Sequence, residues 1–412
     1  MIPYTRKTLP NGLTVVVNRD RASKLAAVNI LYRVGARNEN PARTGFAHLF
    51  EHLMFRGTRA VENFDLPVQM ASGDNNAFTN NDYTDFYITL PKDNLETALW
   101  LESDRMEGLD ITPAKLEAEK KVVIEEFRQR YLNQPYGDQT MLLRALAYKV
   151  HPYRWAAIGL ATDHIAGATL ADVESFYRAH YRPSNAILSI SADMEEERML
   201  ELAEKWFAPL ADHPSETAAI PQEPVQTQAR RQEVERDVPA PTVTVAYHMG
   251  GRTDAGFYTA DLVSDLLAGG DSGRLYTHLV KERRLLSSVN AYVTGDVDPG
   301  LFVFTGQLLP GVTPKEAEAA FREEIETLQT ASAAAREIEK VKNKFEANTL
   351  FGELNVMNKA MNLGFYEMLG DLPLVNREVA AYRAVTTDDI IDFSRRTFRP
   401  ENCSTLIYKA SK

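Results

Sequence analysis

Residues 27–37 read AVNILYRVGAR, and residues 242–252 read TVTVAYHMGGR. Four residues of the first segment recur in the second at an offset of 215 (243 − 28), namely Val28/Val243, Tyr32/Tyr247, Gly35/Gly250 and Arg37/Arg252. The match returns where FYRAHYRPSN (176–185) aligns with FSRRTFRPEN (393–402) at an offset of 217 (393 − 176). Self-similarity at a fixed spacing is typical of a duplicated structural unit. The sequence therefore predicts two copies of one domain.

The stretch between the two copies has the composition of a linker. Residues 212–240 are rich in Pro, Gln and charged residues and lack the apolar periodicity of a helix or strand. We therefore predict a first half over residues 1–215, a linker over 216–232 and a second half over 233–412. A chain of 412 residues also exceeds what one hydrophobic core usually supports, which agrees with two domains.

Each half mixes strand and helix patterns. Three stretches are apolar in the manner of strands: GLTVVVN (12–18), AAVNILYRV (26–34) and NNDYTDFYITL (80–90). Three others are predicted helices: 44–58, 91–109 and 113–132. Thr44 is the predicted N-cap of the first helix, and Pro113 suits the first turn of the third. This order predicts an α+β fold of two homologous α/β sandwich halves, each a mainly antiparallel sheet packed with helices.

A short motif in the first of these helices contains residues that can bind a metal ion. AHLFEHLMF (47–55) contains His48, Glu51 and His52 in the pattern H-x-x-E-H. Helical positions four apart project from one face, so both imidazoles can bind one metal ion. Glu51 lies next to His52, where a carboxylate can act beside a metal without being a ligand. The surrounding apolar residues predict a buried helix, in which these polar groups are costly unless a divalent cation compensates them.

A catalytic zinc site needs a third protein ligand. No other histidine has a spacing that points to one, so a carboxylate is the better candidate. In EKKVVIEEF (119–127), Glu119 and Glu126 lie seven residues apart and are predicted to share one helical stripe with Val122 and Val123. Acidic side chains on an apolar stripe are energetically unfavourable unless they face a functional site. A solvated acidic helix is the alternative interpretation for the neighbouring acids.

Composition limits the classes of partner and location. The chain has 57 Asp+Glu against 46 Lys+Arg and a net charge of −11, which argues against nucleic-acid and anionic-membrane partners. Its one cysteine, Cys403, rules out an intrachain disulfide. The N-terminus has no apolar signal region, and no run of 18 apolar residues occurs. We expect a soluble protein without a membrane span, with the cytoplasm favoured and a periplasmic or organellar location left open.

These motifs together resemble the pitrilysin-type zinc metallopeptidases, or inverzincins, and in particular the short members related to mitochondrial processing peptidase. The resemblance runs in order through nearly the whole chain, in NGLTVVV, YRVGARNEN, TGFAHLFEHLMFRGT, SGDNNAFTNNDYTDFY, HPYRWAAIG and the Arg-Pro-x-Asn repeat. It implies one Zn²⁺ per chain, held by His48, His52 and Glu126.

The resemblance also implies an activity and the roles of other residues. Glu51 would be the general base, and Glu119 an acid that supports the site. Asn76 and Ala77 resemble edge-strand positions that hold the backbone of a bound peptide by strand addition. The implied activity is that of a zinc-dependent endopeptidase acting on peptides in extended conformation.

The second half departs from the pattern of the first. At an offset of 215 (263 − 48) the metal positions become Val263, Leu266 and Leu267, so no second zinc site is expected. In the family the second half usually supplies an Arg and a Tyr seven residues apart, which close over the substrate and steady the developing oxyanion. Here Val280 and Ser287 occupy those two positions.

The missing pair leaves several interpretations. Losing even one oxyanion donor typically costs about 10²–10³ in rate, so we expect a heterodimer with a homologous zinc-less subunit that carries the Arg/Tyr pair. Alternatively Arg283, Arg284 or Tyr292 substitutes locally, or activity is low. A non-catalytic scaffold or core subunit of a complex is the rival function, although a scaffold has no use for a buried charged cluster. A maturation protease dedicated to one precursor would differ only in its substrate.

Overall fold

The computed structural model describes residues 1–213, 215, 219–330 and 333–411. The chain forms two compact units. The first comprises Met1–Arg128, Trp155–Pro221 and Leu350–Asn376, and the second comprises Gln129–Arg154, Gln222–Thr349 and Arg377–Lys412. One segment from each half of the sequence therefore belongs to the unit formed mainly by the other half. The boundaries predicted at residues 215 and 233 describe the sequence repeat and stay a prediction.

The first unit contains a six-stranded sheet. Its strands are β1 (Thr5–Thr8), β2 (Thr14–Arg19), β3 (Leu25–Tyr32), β4 (Asp74–Thr79), β5 (Thr84–Pro91) and β6 (Ala186–Ala192). Their order across the sheet is β1-β2-β6-β3-β5-β4. The β2–β6 pair is parallel, and the other neighbouring strands are antiparallel. β4 is an edge strand, because it pairs with β5 on one side and with no described strand on the other.

The second unit contains a five-stranded sheet with the same topology. Its strands are β7 (Arg230–Arg236), β8 (Thr242–His248), β9 (Leu286–Val293), β10 (Leu301–Leu308) and β11 (Cys403–Ala410). Their order is β7-β11-β8-β10-β9, in which each strand takes the place of its counterpart in β2-β6-β3-β5-β4. The β7–β11 pair is again the parallel one, and the others are antiparallel. The predicted duplication and the α+β class are confirmed.

Helices pack against both sheets. The α-helices of the described residues are α1 (Phe46–Leu53), α2 (Asp65–Met70), α3 (Leu95–Glu107), α4 (Pro113–Phe127), α5 (Gln139–Ala147), α6 (Thr162–Ala166), α7 (Leu170–His180), α8 (Glu196–Phe207), α9 (Phe257–Ala268), α10 (Pro314–Thr330), α11 (Ala335–Gly352), α12 (Val356–Met368), α13 (Glu378–Ala384) and α14 (Thr387–Thr397). Pro113 lies in the first turn of α4 as predicted. Among these helices, none is both long enough and apolar enough to cross a membrane.

Two of these helices explain the exchanged segments. In the first unit, Leu363 of α12 packs against Val16 of the sheet. In the second unit, Leu146 of α5 packs against Leu406 of the sheet. α5 and α12 begin 217 residues apart (356 − 139), which makes them counterparts in the repeat. Each copy of the domain thus contributes one helix to the apolar core of the other unit.

A fully buried ion pair lies in α3 of the first unit. The Arg105 guanidinium donates to the Glu102 carboxylate at 2.7 and 2.6 Å, and both side chains are at most 1 % exposed. The guanidinium carbon also lies 4.4 Å from the ring centre of Phe64 and 4.2 Å from that of Phe86. Such a pair is costly to break, because removing one partner leaves the other charge buried and uncompensated.

We expect Glu102→Ala to lower the free energy of unfolding of the chain by about 3–5 kcal/mol. The matched control is Glu201→Ala, because Arg198 and Glu201 form a pair with the same i,i+3 spacing at 2.9 Å but are more than half exposed. Exposed pairs contribute less than about 1 kcal/mol. Urea unfolding of both variants measures the difference, and equal losses in the two would contradict the prediction.

Candidate metal centre

α1 is buried, as predicted, but it begins differently from the prediction. Thr44 does not cap it, since its hydroxyl oxygen accepts a hydrogen bond from the Leu160 N–H at 2.7 Å. The N-cap is Gly45, which has a φ of 89°. A side chain there would be strained, and its Cβ would lie 2.6 Å from the Ile158 carbonyl oxygen. The Thr44 prediction is wrong because a nearby loop, not α1, uses its hydroxyl group.

A buried carboxylate satisfies the first N–H groups of α1 instead. Glu39 accepts hydrogen bonds from the N–H groups of Gly45 at 2.9 Å and Ala47 at 2.8 Å. It also accepts from the indole N–H of Trp155 at 3.1 Å. Burial raises the pKa of Glu39 to about 8, although these hydrogen bonds act to lower it. Glu39 therefore fixes the start of the helix that carries both histidines, and no residue pattern in the sequence indicates this role.

The three predicted metal ligands come together between α1 and α4. His48 Nε2 lies 3.1 Å from Glu126 Oε2, and His52 Nε2 lies 3.3 Å from the same oxygen. One ligand atom from each residue lies within 4.8 Å of the other two. Two imidazole nitrogens and a carboxylate oxygen are a ligand set that zinc accepts. The described residues therefore fit the implied metal.

Glu119 lies behind His52 instead of among the converging atoms. Its Oε2 is 3.3 Å from His52 Nδ1, and its carboxylate also forms an ion pair with Arg56. The Glu119 side chain is 2 % exposed. A carboxylate on the second ring nitrogen fixes the orientation and tautomer of a metal-binding histidine. Val123 shares this buried stripe as predicted, but Val122 is 44 % exposed and does not.

Glu51 lies beside the ligand set. Its Oε2 is 3.3 Å from His48 Nδ1, away from the Nε2 atoms that face Glu126. Burial acts to raise the pKa of Glu51, but the neighbouring His48 outweighs it and holds that pKa below its ordinary value. Glu51 is therefore ionised at neutral pH and able to accept a proton.

A cleft opens beside these residues in the first unit. It has a volume of about 1030 Å³, and its lining includes Glu51, His52, Phe55, Arg56, Asn76 and Glu119. Asn76 and Ala77 lie in the edge strand β4, and the Asn76 side-chain oxygen accepts from the Ala77 N–H at 2.9 Å. The predicted edge-strand placement agrees with the structure, and the role of the two residues in substrate binding stays a prediction.

The carboxylates around the two histidines favour their protonated forms in the metal-free chain. Burial acts to lower the pKa of His52, but hydrogen bonds to Glu119 and Glu126 outweigh it and raise that pKa to about 9. Burial likewise acts to lower the pKa of His48, and its contacts with Glu126 and Glu51 raise it overall. A metal ion must therefore displace protons in order to bind here.

We expect zinc affinity to fall as the pH falls. A proton and zinc compete for the same nitrogen below about pH 9, so each pH unit lowered should raise the Kd about tenfold per proton displaced. Competition with a chelator of known affinity at several pH values measures the slope. Glu119→Gln should flatten it, because that carboxylate raises the pKa of His52. A Kd independent of pH would contradict the prediction.

The second unit has an apolar helix where the first has its histidines. Val263, Leu266 and Leu267 lie in α9 and are at most 2 % exposed. Val280 packs against the apolar core of that unit. The hydroxyl of Ser287 donates to the side-chain oxygen of Gln307 at 3.1 Å.

The predicted local substitutes also lie in the second unit. Arg283 forms an ion pair of 2.5 Å with Glu323. Arg284 is exposed and has a φ of 50°. Tyr292, in β9, is 37 % exposed. Whether any of the three takes part in catalysis stays an open prediction.

The chain is similar to known families, proteins and structures. The family model for insulinase (peptidase family M16) matches residues 14–155, and the model for the peptidase M16 inactive domain matches residues 167–345. The zinc protease PqqE of Helicobacter pylori is 28% identical over 408 residues, which cover 98% of this chain and 92% of that protein. A probable mitochondrial-processing peptidase subunit beta of Arabidopsis thaliana is 25% identical over 315 residues, 73% of this chain and 59% of that protein.

A solved structure agrees with these matches. The crystal structure of a protease from Helicobacter pylori superposes with a TM-score of 0.94 at 28% sequence identity, covering 99% of this chain and 100% of that one. The two family models together span most of the chain, and the one for an inactive domain falls mainly on the half without metal ligands. The predicted resemblance is confirmed, and the chain belongs to the peptidase M16 family.

Proposed function

We propose that the chain is a zinc-dependent endopeptidase that hydrolyses peptides in extended conformation. The observation that carries the proposal is the convergence of His48, His52 and Glu126, whose ligand atoms lie within 4.8 Å of one another. Glu51 lies directly beside them. Relatives named as zinc proteases support the same activity.

The three converging residues would hold one zinc ion per chain. When bound, zinc supplies Lewis-acid chemistry, since it lowers the pKa of water and stabilises negative charge on a peptide carbonyl. Glu119 would keep His52 in the orientation and tautomer that present Nε2 to the metal.

Glu51 would act as the general base. Its ionised carboxylate takes a proton from the attacking water and later gives it to the leaving amine. The structure supports this assignment, because Glu51 is 15 % exposed, lines the cleft and is not among the atoms that converge on Glu126.

The substrate would bind along β4. This edge strand has an unpaired outer side among the described strands, and Asn76 lines the same cleft as Glu51. Main-chain hydrogen bonds to an added strand hold a peptide in extended conformation and depend little on its sequence. Hydrolysis within such a strand is endopeptidase activity.

The site would be completed by a second chain. Val280 and Ser287 offer neither a guanidinium nor a phenol at the positions where the resemblance implies an Arg and a Tyr. We therefore include in the proposal a heterodimer with a homologous zinc-less subunit that supplies this pair. Val280 and Ser287 also favour the second candidate function, a non-catalytic scaffold, because this chain then has no Arg/Tyr pair of its own.

Removal of zinc tests the proposal. We expect the chain to bind one zinc, and we expect chelation to reduce peptide cleavage to background until zinc is added back. His52→Ala should lose the metal, whereas His278→Ala should keep it, because His278 belongs to the second unit and is not one of the converging residues. Cleavage that survives complete zinc removal would contradict the proposal. Bound zinc without cleavage, with or without homologous partners, would favour the scaffold.

A further inference from the structure

Arg56 lies next to the candidate metal ligands, but the proposed mechanism gives it no role. It belongs to the turn that follows α1, where its backbone N–H donates to the Leu53 carbonyl at 3.0 Å. Its side chain is 49 % exposed and lines the cleft together with Glu51 and His52. The guanidinium group is therefore in contact with solvent on one side and with the candidate site on the other.

The ion pair between Arg56 and Glu119 joins this half-exposed group to a buried one. Nη2 of Arg56 contacts Oε1 of Glu119, whose side chain is 2 % exposed. Oε2 of the same carboxylate lies 3.3 Å from His52 Nδ1. The two oxygens of Glu119 are thus divided between one arginine and one histidine. The carboxylate cannot rotate away from His52 without breaking its ion pair with Arg56.

Arg56 supplies the compensating charge for Glu119. No other lysine or arginine in the described part of the chain forms an ion pair with this carboxylate. Lys115 also lines the cleft, but its ammonium group donates to the carboxylate and the carbonyl oxygen of Asp110 at 2.9 and 3.0 Å. A buried carboxylate is costly unless an opposite charge compensates it. The position of Glu119 therefore depends on Arg56.

The orientation of the Glu119 carboxylate affects how His52 faces the metal. A carboxylate on the second ring nitrogen of a metal-binding histidine fixes the tautomer and the orientation of the ring. With Nδ1 facing Glu119, Nε2 of His52 lies 3.3 Å from Oε2 of Glu126. A carboxylate that turned away from Nδ1 would leave the imidazole free to rotate away from the converging ligand atoms.

We propose that Arg56 is a positioning residue of the zinc site, which acts on His52 only through Glu119. The guanidinium group holds the Glu119 carboxylate, and the carboxylate holds Nδ1 of the imidazole. The inference rests on the proposed function, since it assumes that His52 binds zinc. Arg56 is not itself a ligand, because a guanidinium group offers hydrogen-bond donors and no acceptor.

The positioning role of Arg56 and its positive charge have opposite effects on zinc affinity. A positive charge near the ligands repels a cation, so electrostatic repulsion alone predicts tighter zinc binding when the charge is removed. The positioning role predicts weaker binding, because His52 then loses its fixed orientation. The direction in which the Kd for zinc changes therefore decides between the two effects.

The zinc affinity of the intact chain tests the proposal. It is measured at a fixed pH by competition with a chelator of known affinity. We expect Arg56→Ala to raise the Kd about tenfold, the lower end of the range for a lost group that orients a metal ligand. Arg56→Lys should recover part of the affinity, because it keeps a positive charge. The control is Arg128→Ala, which removes an arginine paired with Glu125 where both side chains are more than half exposed, and it should leave the Kd unchanged.

A double variant shows whether Arg56 acts through Glu119. Glu119→Ala alone should raise the Kd about 10–100-fold. Arg56→Ala in the Glu119→Ala background should raise it no further, because no carboxylate is left for the arginine to hold. The double variant also leaves no buried charge uncompensated, so the comparison holds even if Arg56→Ala alone does not fold. Additive losses in the double variant would overturn the proposal.

Kinetics at saturating zinc separate the positioning role from direct contact with the substrate, since Arg56 also lines the cleft. We expect Arg56→Ala to leave KM little changed once the site is loaded. A higher KM together with an unchanged Kd for zinc would mean that the guanidinium group contacts the peptide, and would overturn the proposal. A Kd that falls or stays the same in Arg56→Ala would overturn it as well.

Failure of this inference and failure of the proposed function give different results. A parent chain that binds no zinc overturns both of them. A parent chain that binds zinc and cleaves peptides, together with Arg56 variants that have the same Kd and native circular dichroism spectra, overturns only the role of Arg56.

Discussion

Glu51→Gln should reduce kcat for peptide cleavage by roughly 10²–10⁴-fold while the chain keeps one bound zinc. The amide has nearly the shape of the carboxylate but cannot accept a proton from the attacking water. Glu51 Oε2 contacts His48 Nδ1 and not the Nε2 atoms that converge on Glu126, so the substitution removes no candidate ligand, and the Gln side-chain oxygen can still accept from His48 Nδ1. Cleavage of a quenched fluorescent peptide, with zinc content measured on the same sample, gives both numbers.

Two further variants make the Glu51 result specific. Glu125→Gln on α4 removes an exposed carboxylate close to the site in sequence and should change neither cleavage nor zinc content. Glu126→Gln removes a predicted ligand and should lose zinc together with activity. If Glu51→Gln lost zinc as well, Glu51 would be a ligand or a structural residue, and its role as general base would be wrong.

The two-domain fold was predictable because the same residue pattern occurs in both halves of the sequence. Matching positions such as Gly35 and Gly250 recur at one spacing, and both copies fold into the same strand order. The exchange of α5 and α12 was not predictable. Apolar periodicity shows that one face of a helix is buried, but Leu146 and Leu363 do not show which sheet buries them.

The cluster of candidate metal ligands was predictable where its geometry is local. His48 and His52 are neighbours on any helix, and the stripe of α4 that includes Glu126 follows from the same periodicity. The capping of α1 was not predictable from the sequence. The side chain of Glu39 reaches the N–H groups of Gly45 and Ala47 only because the loop between them folds back. Thr44 has the residue type of an N-cap, but the neighbouring loop competes for its hydroxyl group.

We expect the isolated chain to cleave peptides slowly and to cleave them about 10²–10³ times faster when mixed with a homologous zinc-less chain that carries the Arg/Tyr pair. The candidate zinc ligands and the proposed base, Glu51, all belong to the first unit. Donors for the developing oxyanion are missing at Val280 and Ser287, where the resemblance places them. The expected gain is therefore in kcat, while zinc content per chain stays the same.

The heterodimer can be tested with substitutions in either of its two chains. Replacing the Arg or the Tyr of the zinc-less chain should remove most of the gain without preventing association of the two chains. In this chain, Ser287→Tyr restores a phenol at an exposed position of β9 and should recover part of the rate without a partner. Val280→Arg is a less clean test, because Val280 packs against the core of the second unit.

Full activity of the isolated chain would contradict the heterodimer. The oxyanion donors would then have to come from this chain, and Arg284 and Tyr292 would be the residues to replace, since Arg283 is already paired with Glu323. A drop in kcat in Arg284→Ala or Tyr292→Phe, with KM little changed, would identify a group that acts on the transition state. An unchanged kcat in both would show that zinc, the base and the cleft suffice for this substrate.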